Sequence, residues 1–428
     1  MSWIVVAAGV IFLFAGTALA YVIGAASVLT YLVNGKAAFL AIIPQRIFAQ
    51  VDVFAFMAMP LFILTGDIMN RAGLTRVLIE FSMALVGRFK GGLGHVNIMT
   101  SVFFAGISGS AVADSAALSN TLVPAMREQG YTNLYASVIT AASSIIGPII
   151  PPSIILIIYG ALMQTSIAAL FIAGIVPGLL LAFALFIINT IYAYKDDHPG
   201  GRDADIPPFW PAFRRAAPAL LLPIIIVGGI IVGVVTPTEA ATLAVITATL
   251  VGLYYGEVTW AKLWDSFQHT AILTGAIFVI LSAIACLGYI AGLLQWPQLL
   301  SDLVVGSGLS GLEYLFVLNV IFLFAGMIMD IPVALTLLVP LLAPIALAQG
   351  VNPTHLGIVL CFNLCIGLIT PPLGGCLIIV STVTGESYWR MARAIIPFAL
   401  VEMAVLVILV LFPELSLFLP RLAGLAVG

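Results

Sequence analysis

One pattern of helix-breaking residues is written twice in this chain, and it restricts the fold more than any other feature. Gly106, Pro124, Gly130, Gly147, Pro151 and Pro152 recur, each number plus 220, as Gly326, Pro344, Gly350, Gly367, Pro371 and Pro372. The surrounding strings agree as well: F-A-G at 104–106 and 324–326, G-P-I-I-P-P-S at 147–153 and G-L-I-T-P-P-L at 367–373. Proline removes a backbone donor and glycine lacks the side chain that holds a helical turn, so each interrupts a helix. Interrupted apolar segments at matching places in two halves of a chain point to a transporter that holds its substrate and ions where the helices break.

Composition identifies the solvent. Charged residues make up 8% of the chain and hydrophobic ones 62%, whereas a soluble domain carries about 25% charged residues. No charged residue occurs between Tyr131 and Tyr194. Lipid therefore surrounds the fold, and the apolar runs of about 20 residues are helices that cross it. The opening segment, Ser2 to Val33, lacks a basic start and a small-residue cleavage site, and is expected to be a retained helix, not a signal peptide. A net charge of −3 argues against a nucleic-acid partner. Cys286, Cys361, Cys365 and Cys376 form no C-x-x-C pair and read as buried, unpaired thiols. The tryptophans fall mostly near segment ends, as in an aromatic belt.

The clearest break is K-D-D-H-P-G-G-R-D-A-D-I-P-P at 195–208, which reads as a solvated linker and not as a metal-diphosphate motif. It divides the chain into a first repeat at 1–194, a connector at 195–214 and a second repeat at 215–428. Apolar helices are expected at about 3–34, 51–70, 134–165, 168–194, 215–235, 237–256, 267–294, 354–384 and 394–412. Two stretches, about 95–126 and 314–348, are interrupted near their middles and leave arms too short to cross comfortably, so each is expected to be a re-entrant hairpin. Arg88, Lys90 and Arg127 flank the first, while no Lys or Arg occurs between Lys262 and Arg390 around the second. Basic residues prefer cytoplasmic loops, so the first hairpin should open inside and the second outside, with the connector inside. The expected fold is an all-α polytopic membrane protein of two inverted-topology repeats, with two re-entrant hairpins and two broken helices at 134–165 and 354–384. Lys36, Arg46, Arg71 and Arg76 do not all fit inside, which leaves the orientation of the first 90 residues open.

The candidate chemistry sits at the interruptions. In the first hairpin tip, Gly106 and Gly109 permit unwound backbone whose carbonyls coordinate a cation, and Ser108 and Ser110 add hydroxyl oxygens. Asp114 lies alongside at membrane depth, where a carboxylate needs a partner, water or an ion. Close helix packing through small residues is the plainer explanation of such a stretch in general, and Asp114 alongside weakens it here. In the first broken helix, Pro148, Pro151 and Pro152 free carbonyls near Gly147, Ile149 and Ile150 for Na⁺. Ser153 opens the next half-helix, whose free N–H groups suit a carboxylate. The second copy offers Asp330 at its hairpin tip, aligned with Ser110 (330 − 220 = 110), and Gly367, Ile369, Thr370, Pro371 and Pro372 in its broken helix. Glu239 reads better as a helix cap than as an ion ligand, and His269 and His355 are weak signals.

At these motifs the chain resembles the large membrane subunit of tripartite ATP-independent periplasmic (TRAP) transporters. The resemblance rests on G-I-S-G-S-A-V-A-D-S-A-A at 106–117, G-P-I-I-P-P-S at 147–153, P-T-E-A-A at 237–241 and G-L-I-T-P-P-L-G at 367–374, and it covers essentially the whole chain. It implies a multi-pass protein of the bacterial inner membrane that works with a separate small four-helix membrane subunit and a soluble periplasmic substrate-binding protein. It also implies uptake of an organic acid, of the sialic acid or C4-dicarboxylate class, driven by Na⁺ through an elevator motion. Carried onto this chain, it places at least two Na⁺ sites, one at Ser108, Gly109 and Ser110 with Gly147, Ile150 and Pro151, the other at Gly326 and Asp330 with Gly367, Thr370 and Pro371. Substrate contacts fall near Ser110, Ser153 and Asp330. The absence of an intramembrane Arg clamp favours a hydroxyl-rich monocarboxylate such as sialic acid.

No Walker A sequence is present, so the chain carries no phosphate-cradling motor of its own. The competing readings are a secondary transporter of an unrelated carboxylate family, a passive channel and an intramembrane serine hydrolase. The last is poorly served, because G-I-S-G-S departs from the nucleophile-elbow pattern and the four histidines lie near segment ends.

Overall fold

In the computed structural model, which describes residues 2–200, 206–306 and 308–426, the chain is a bundle of helices joined by short loops. Among the described residues the one extended pairing is an isolated bridge between Lys90 and Gly200. Residues 201–205 of the connector, Arg202, Asp203 and Asp205 included, lie outside the described residues.

The duplication seen at six residues extends through the helices. Ser2–Phe14 matches Phe209–Ile231, and Leu19–Val33 matches Pro237–Tyr254. The bent pair Ala37–Val51 and Phe54–Arg71 matches the continuous helix Trp260–Leu293, and Leu74–Val86 matches Trp296–Gly306. The hairpin arms Gly92–Ser108 and Ala111–Glu128 match Gly311–Ile328 and Ile331–Ala348. The broken helix Asn133–Ser144 with Ile154–Met163 matches Pro353–Gly367 with Gly375–Thr384. Ile167–Lys195 matches Tyr388–Ala394 with Ile396–Leu411, a pair bent by 47°. Both breaks contain a cis X-Pro bond, Pro151–Pro152 and Pro371–Pro372. Glu414–Leu422 is the last described helix.

Two expectations need correction. The single helix expected over 3–34 is two, Ser2–Phe14 and Leu19–Val33, separated around Gly16, whose φ of +77° lies in the left-handed region that ends helices. The hairpin arms are also not short. They run 17 and 18 residues in the first copy and 18 and 18 in the second, roughly 26 Å each at 1.5 Å per residue. Their re-entrance follows instead from where the tips end, which is against the breaks in the middle of the two broken helices.

Between the hairpins, Ile167–Lys195, Phe209–Ile231, Pro237–Tyr254 and Trp260–Leu293 are each long and apolar enough to cross, and the two halves of the broken helix 133–163, counted as one span, make a fifth crossing. Trp296–Gly306, with 11 residues, is too short to span. An odd number of crossings puts the two hairpin mouths on opposite faces, which is the inversion the charge pattern called for.

The N-terminal side also becomes readable. Arg71 pairs with Asp67 (2.6 Å) and Asp265 (3.6 Å), and Lys262 donates to the Arg71 carbonyl (3.2 Å). Arg46 stacks over Tyr289 at 4.2 Å, and Phe39, over which Lys36 lies, packs against the same ring. Lys262 and Tyr289 are 27 residues apart (289 − 262) on one helix, roughly 40 Å. Arg71 therefore lies at the end of this helix that carries Lys262, the end that the charge bias predicts to be cytoplasmic, while Lys36 and Arg46 lie at the opposite end.

The helices of residues 2–71 and 209–293 pack on one another as a frame. The hairpins, the broken helices, Ile167–Lys195 and Ile396–Leu411 form a second, more deeply buried group. Within it the halves interlock. Ile331–Ala348 packs on Ile154–Met163, and Ala111–Glu128 packs on Gly375–Thr384, so each returning hairpin arm lies on the half-helix of the other repeat.

Candidate functional site

The first hairpin tip is a chain of short polar contacts. The Ser110 amide donates to Ser108 Oγ (3.2 Å), and Ser108 Oγ in turn donates to Asp114 Oδ1. Ser110 Oγ caps the returning arm by accepting from the Ala113 amide (3.4 Å). Asp114 is fully buried, and its Oδ2 has no partner among the described residues. That oxygen faces Gly147 of the first break, where a β-carbon would overlap it. Gly109, with φ +59°, lies against the Pro152 carbonyl, and a side chain there would collide with it. Glycine at 109 is thus required twice, by conformation and by contact.

The first break is a series of tight turns. The amides of Gly147, Ile149 and Ile150 donate back to Ser144 (3.1 Å), Ile146 (3.1 Å) and Ile146 (3.2 Å). No hydrogen bond among the described residues goes to the carbonyls of Gly147, Ile150 or Pro151. Ser153 caps the second half-helix by accepting from the Leu156 amide (3.3 Å) and donates to the Pro148 carbonyl. It is fully buried, with its hydroxyl engaged on both sides, so in this conformation it holds the break together.

The second tip is built differently. Asp330 caps Ile331–Ala348, its Oδ1 accepting from the Ile331 amide at 3.0 Å, and it is exposed. Gly326 and Gly367 lie backbone against backbone: a β-carbon on Gly367 would come within 2.5 Å of the Gly326 carbonyl carbon. Their counterparts do not meet. Gly106 packs on the Pro223 ring of the frame, and Gly147 faces Asp114. The Thr370 hydroxyl turns back to the Ile366 carbonyl (2.7 Å), while the carbonyls of Thr370 and Pro371 receive no described hydrogen bond. Tyr388, from the next helix, donates to the carbonyls of Pro372 (2.7 Å) and Leu373 (3.0 Å) and steadies this loop.

Cys376, near the start of the second repeat's half-helix, lies beside Ser115 and Ser144 of the first repeat. Ser115 Oγ donates to Ser144 Oγ (2.7 Å). Access is one-sided. Asp330, Pro372 and Leu373 are exposed and Thr370 and Pro371 half-buried, whereas the first break is buried except for half-buried Ile150.

The structure thus brings Gly109 against Pro152, Asp114, held by Ser108, against Gly147, and Gly326 against Gly367. Among the described residues no hydrogen bond joins Ser110 to Ile150, Pro151 or Ser153, or Asp330 to Gly367, Thr370 or Pro371. Sequence reasoning noted Asp114 without placing it among the ligands, and it missed Ser115, Ser144, Cys376 and Tyr388. It also missed the buried polar ladder that fixes the first hairpin to its broken helix, in which Asn97 donates to Thr140 (2.6 Å), Ser143 to Asn97 (2.9 Å) and Ser101 to Ser143 (3.0 Å). Glu239 closes a capping box with Thr236. His269 sits on Asp67 (2.9 Å) and His355 on Ser416 (2.7 Å), both away from the tips.

The donors offered at both tips are hydroxyl, carbonyl and carboxylate oxygens. Such a set suits a hard cation, and no cluster of three or more His, Cys, Asp or Glu forms among the described residues.

Comparison with known proteins agrees with this architecture. Residues 6–415 match the family described as tripartite ATP-independent periplasmic transporter, DctM component. The chain is 37% identical to the sialic acid TRAP transporter large permease protein SiaM of Vibrio cholerae, covering 88% of this chain and 89% of that one. It is 34% identical to the C4-dicarboxylate TRAP transporter large permease protein DctM of Pseudomonas aeruginosa, covering 89% and 90%. Its fold is similar to the crystal structure of the Alcanivorax borkumensis YdaH transporter, with a TM-score of 0.62, 14% identity and 89% of each chain covered.

Proposed function

Since the chain belongs to the DctM-component family of tripartite ATP-independent periplasmic transporters, and is therefore a multi-pass permease of the bacterial inner membrane and not an enzyme, we propose that it is the translocating subunit of a Na⁺-driven importer of an organic acid. A soluble periplasmic binding protein delivers the acid, and a small four-helix membrane subunit completes the permease. The substrate class is that of sialic acid or a C4-dicarboxylate, in keeping with the names of the relatives above.

One observation carries this reading: each hairpin tip meets a helix break that presents carbonyls without hydrogen-bond partners among the described residues. One Na⁺ is held by Ser108, Gly109, Ser110 and Asp114 with the carbonyls of Gly147, Ile150 and Pro151. A second is held by Gly326 and Asp330 with Gly367, Thr370 and Pro371. The accessible edges, Ser110 and Asp330, face the substrate carboxylate, with Ser153 behind them at the half-helix N-terminus. Bound cations offset charge that is otherwise prohibitive: two carboxylates and an anionic substrate do not share a low-dielectric site unaided. Coupling follows, because substrate binds well only after the cations do.

The group of hairpins and broken helices then slides past the frame as an elevator. Small contacts between the two bodies, Gly66 against Ser108 and Gly106 against Pro223, suit a surface that parts and re-forms. The test is uptake of labelled sialic acid, and separately of succinate, into proteoliposomes holding the complete permease with its binding protein. Uptake should require an inward Na⁺ gradient and fail when K⁺ replaces Na⁺. Equal flux in both salts would favour a channel and overturn the proposal.

A further inference from the structure

Glu402 is a titratable group that the proposed mechanism does not use. It lies in Ile396–Leu411 on a face shared with Phe398, Ala399, Val405, Leu406 and Leu409, the three-and-four spacing of a helix stripe turned toward a core. It is fully buried, and neither of its carboxylate oxygens has a partner among the described residues. An ionised carboxylate removed from both water and donors is heavily penalised, and such a group neutralises instead.

Among the described residues no hydrogen bond or ion pair reaches it from the surrounding helices. Ile167–Lys195 carries Tyr192, Tyr194 and Lys195 in its last turn. Pro353–Gly367 carries His355, engaged with Ser416, and the thiols of Cys361 and Cys365. Gly311–Ile328 carries Glu313 and Tyr314 in its first turn. Tyr388–Ala394 carries Tyr388, held on the second break, Arg390, paired with Glu386 at 3.1 Å, and Arg393 at its end.

The repeat provides an internal control. The matching position, 402 − 220 = 182, is Ala182, also buried. The first repeat thus carries an apolar side chain at the matching place. The acidic residues of the site break the symmetry in the same way: Asp114 matches Ala334, and Asp330 matches Ser110.

We propose that Glu402 is a proton-binding site of the moving helix group, neutral and proton-loaded in the buried state and exchanging its proton with water in another conformation. The proton moves between water and one carboxylate oxygen, with no other bond made or broken. If the transport reading above holds, uptake depends on pH through this residue as well as on the cation gradient.

The test uses the full chain, purified and reconstituted in lipid without substrate, and compares infrared spectra of wild type and Glu402→Gln at pH 7.5. A protonated-carboxyl C=O band present in wild type, shifted in D₂O and missing from the variant, is the expected result. Loss of ionised-carboxylate bands instead, or no difference, overturns the proposal. Glu402→Leu provides a second arm: its melting temperature should match or exceed that of wild type, because a neutral group without partners is being replaced. A marked drop would reveal a charge left behind and would also overturn it. In proteoliposomes, Glu402→Gln should flatten the dependence of uptake on pH between 6 and 8, and an unchanged profile refutes the link to transport. The infrared arm involves neither sodium nor substrate, so its outcome is separable from that of the sodium-driven reading.

Discussion

Asp114 turns its Oδ2 toward Gly147 across the seam between the first hairpin and the first broken helix, and no β-carbon fits between them. The oxygen is buried and unpartnered, while Oδ1 is held by Ser108. A carboxylate steadied on one side and free on the other is well suited to a cation. Asp114→Asn keeps the shape and removes the charge. Loss of one charged ligand is worth about 1.5–3 kcal/mol, so the sodium concentration for half-maximal uptake should rise roughly tenfold to a hundredfold. Gly147→Ala should act in the same direction by displacing the carboxylate. A sodium titration of uptake identical to wild type in both variants would remove Asp114 from the site.

Gly326 and Gly367 predict a stability effect. An alanine at 367 drives a methyl group into the backbone of the facing helix, and overpacking of this kind costs about 1–3 kcal/mol. Gly275, on the exposed Trp260–Leu293 helix, serves as the control, because a β-carbon added there would meet nothing within 4 Å. Gly367→Ala should lower the melting temperature, while Gly275→Ala should hold or raise it, since alanine is the better helix former by about 1 kcal/mol. Equal melting temperatures for the two variants would contradict the close crossing.

The breaks were legible in the sequence because Gly and Pro act on their own backbone: the interruptions fall where Gly147–Pro152 and Gly367–Pro372 predicted. Inversion was legible because the charge bias of Arg88, Lys90 and Arg127 is a local signal. The meeting of Cys376 with Ser115 was not, since residues 261 positions apart (376 − 115) come together through the exchange of hairpin arms between repeats. The different tasks of Gly106 and Gly326 were hidden for the same reason. Identical residues at matching positions face Pro223 in one half and Gly367 in the other. The orientation of Ser153, toward Pro148 and not outward, depends on how the turns of the break close.

Gly106 offers a test of the contact between frame and moving group. A β-carbon there would come within 2.7 Å of the Pro223 ring. Gly106→Val should block docking of the first hairpin in this position and suppress uptake. Because the obstacle is the ring, Pro223→Ala in the same chain should restore part of the rate, giving a coupling in a double-mutant cycle. Strictly additive effects of the two substitutions would show that the contact is not formed during transport.

His198 makes the connector sensitive to acid. The segment Asp196–Gly200 runs across the mouth of the first hairpin. Lys90 pairs with Asp197 (2.5 Å), the Gly91 amide donates to the Pro199 carbonyl (3.2 Å), and the Tyr131 hydroxyl donates to the same carbonyl (2.9 Å). His198 packs between the rings of Tyr131 (5.1 Å) and Tyr135 (4.1 Å). Burial lowers its pKa first of all, with Lys90 adding in the same direction and Asp196 opposing. A histidine with a lowered folded pKa stabilises the packed form above its free value, about 6.5. That stabilisation is lost as the pH falls from there through the folded value. Hydrogen exchange at the Gly91 amide should therefore accelerate between pH 7.5 and pH 5, after correction for intrinsic exchange, and His198→Gln should abolish the acceleration. Acceleration that persists in the variant would place the sensitivity on another group.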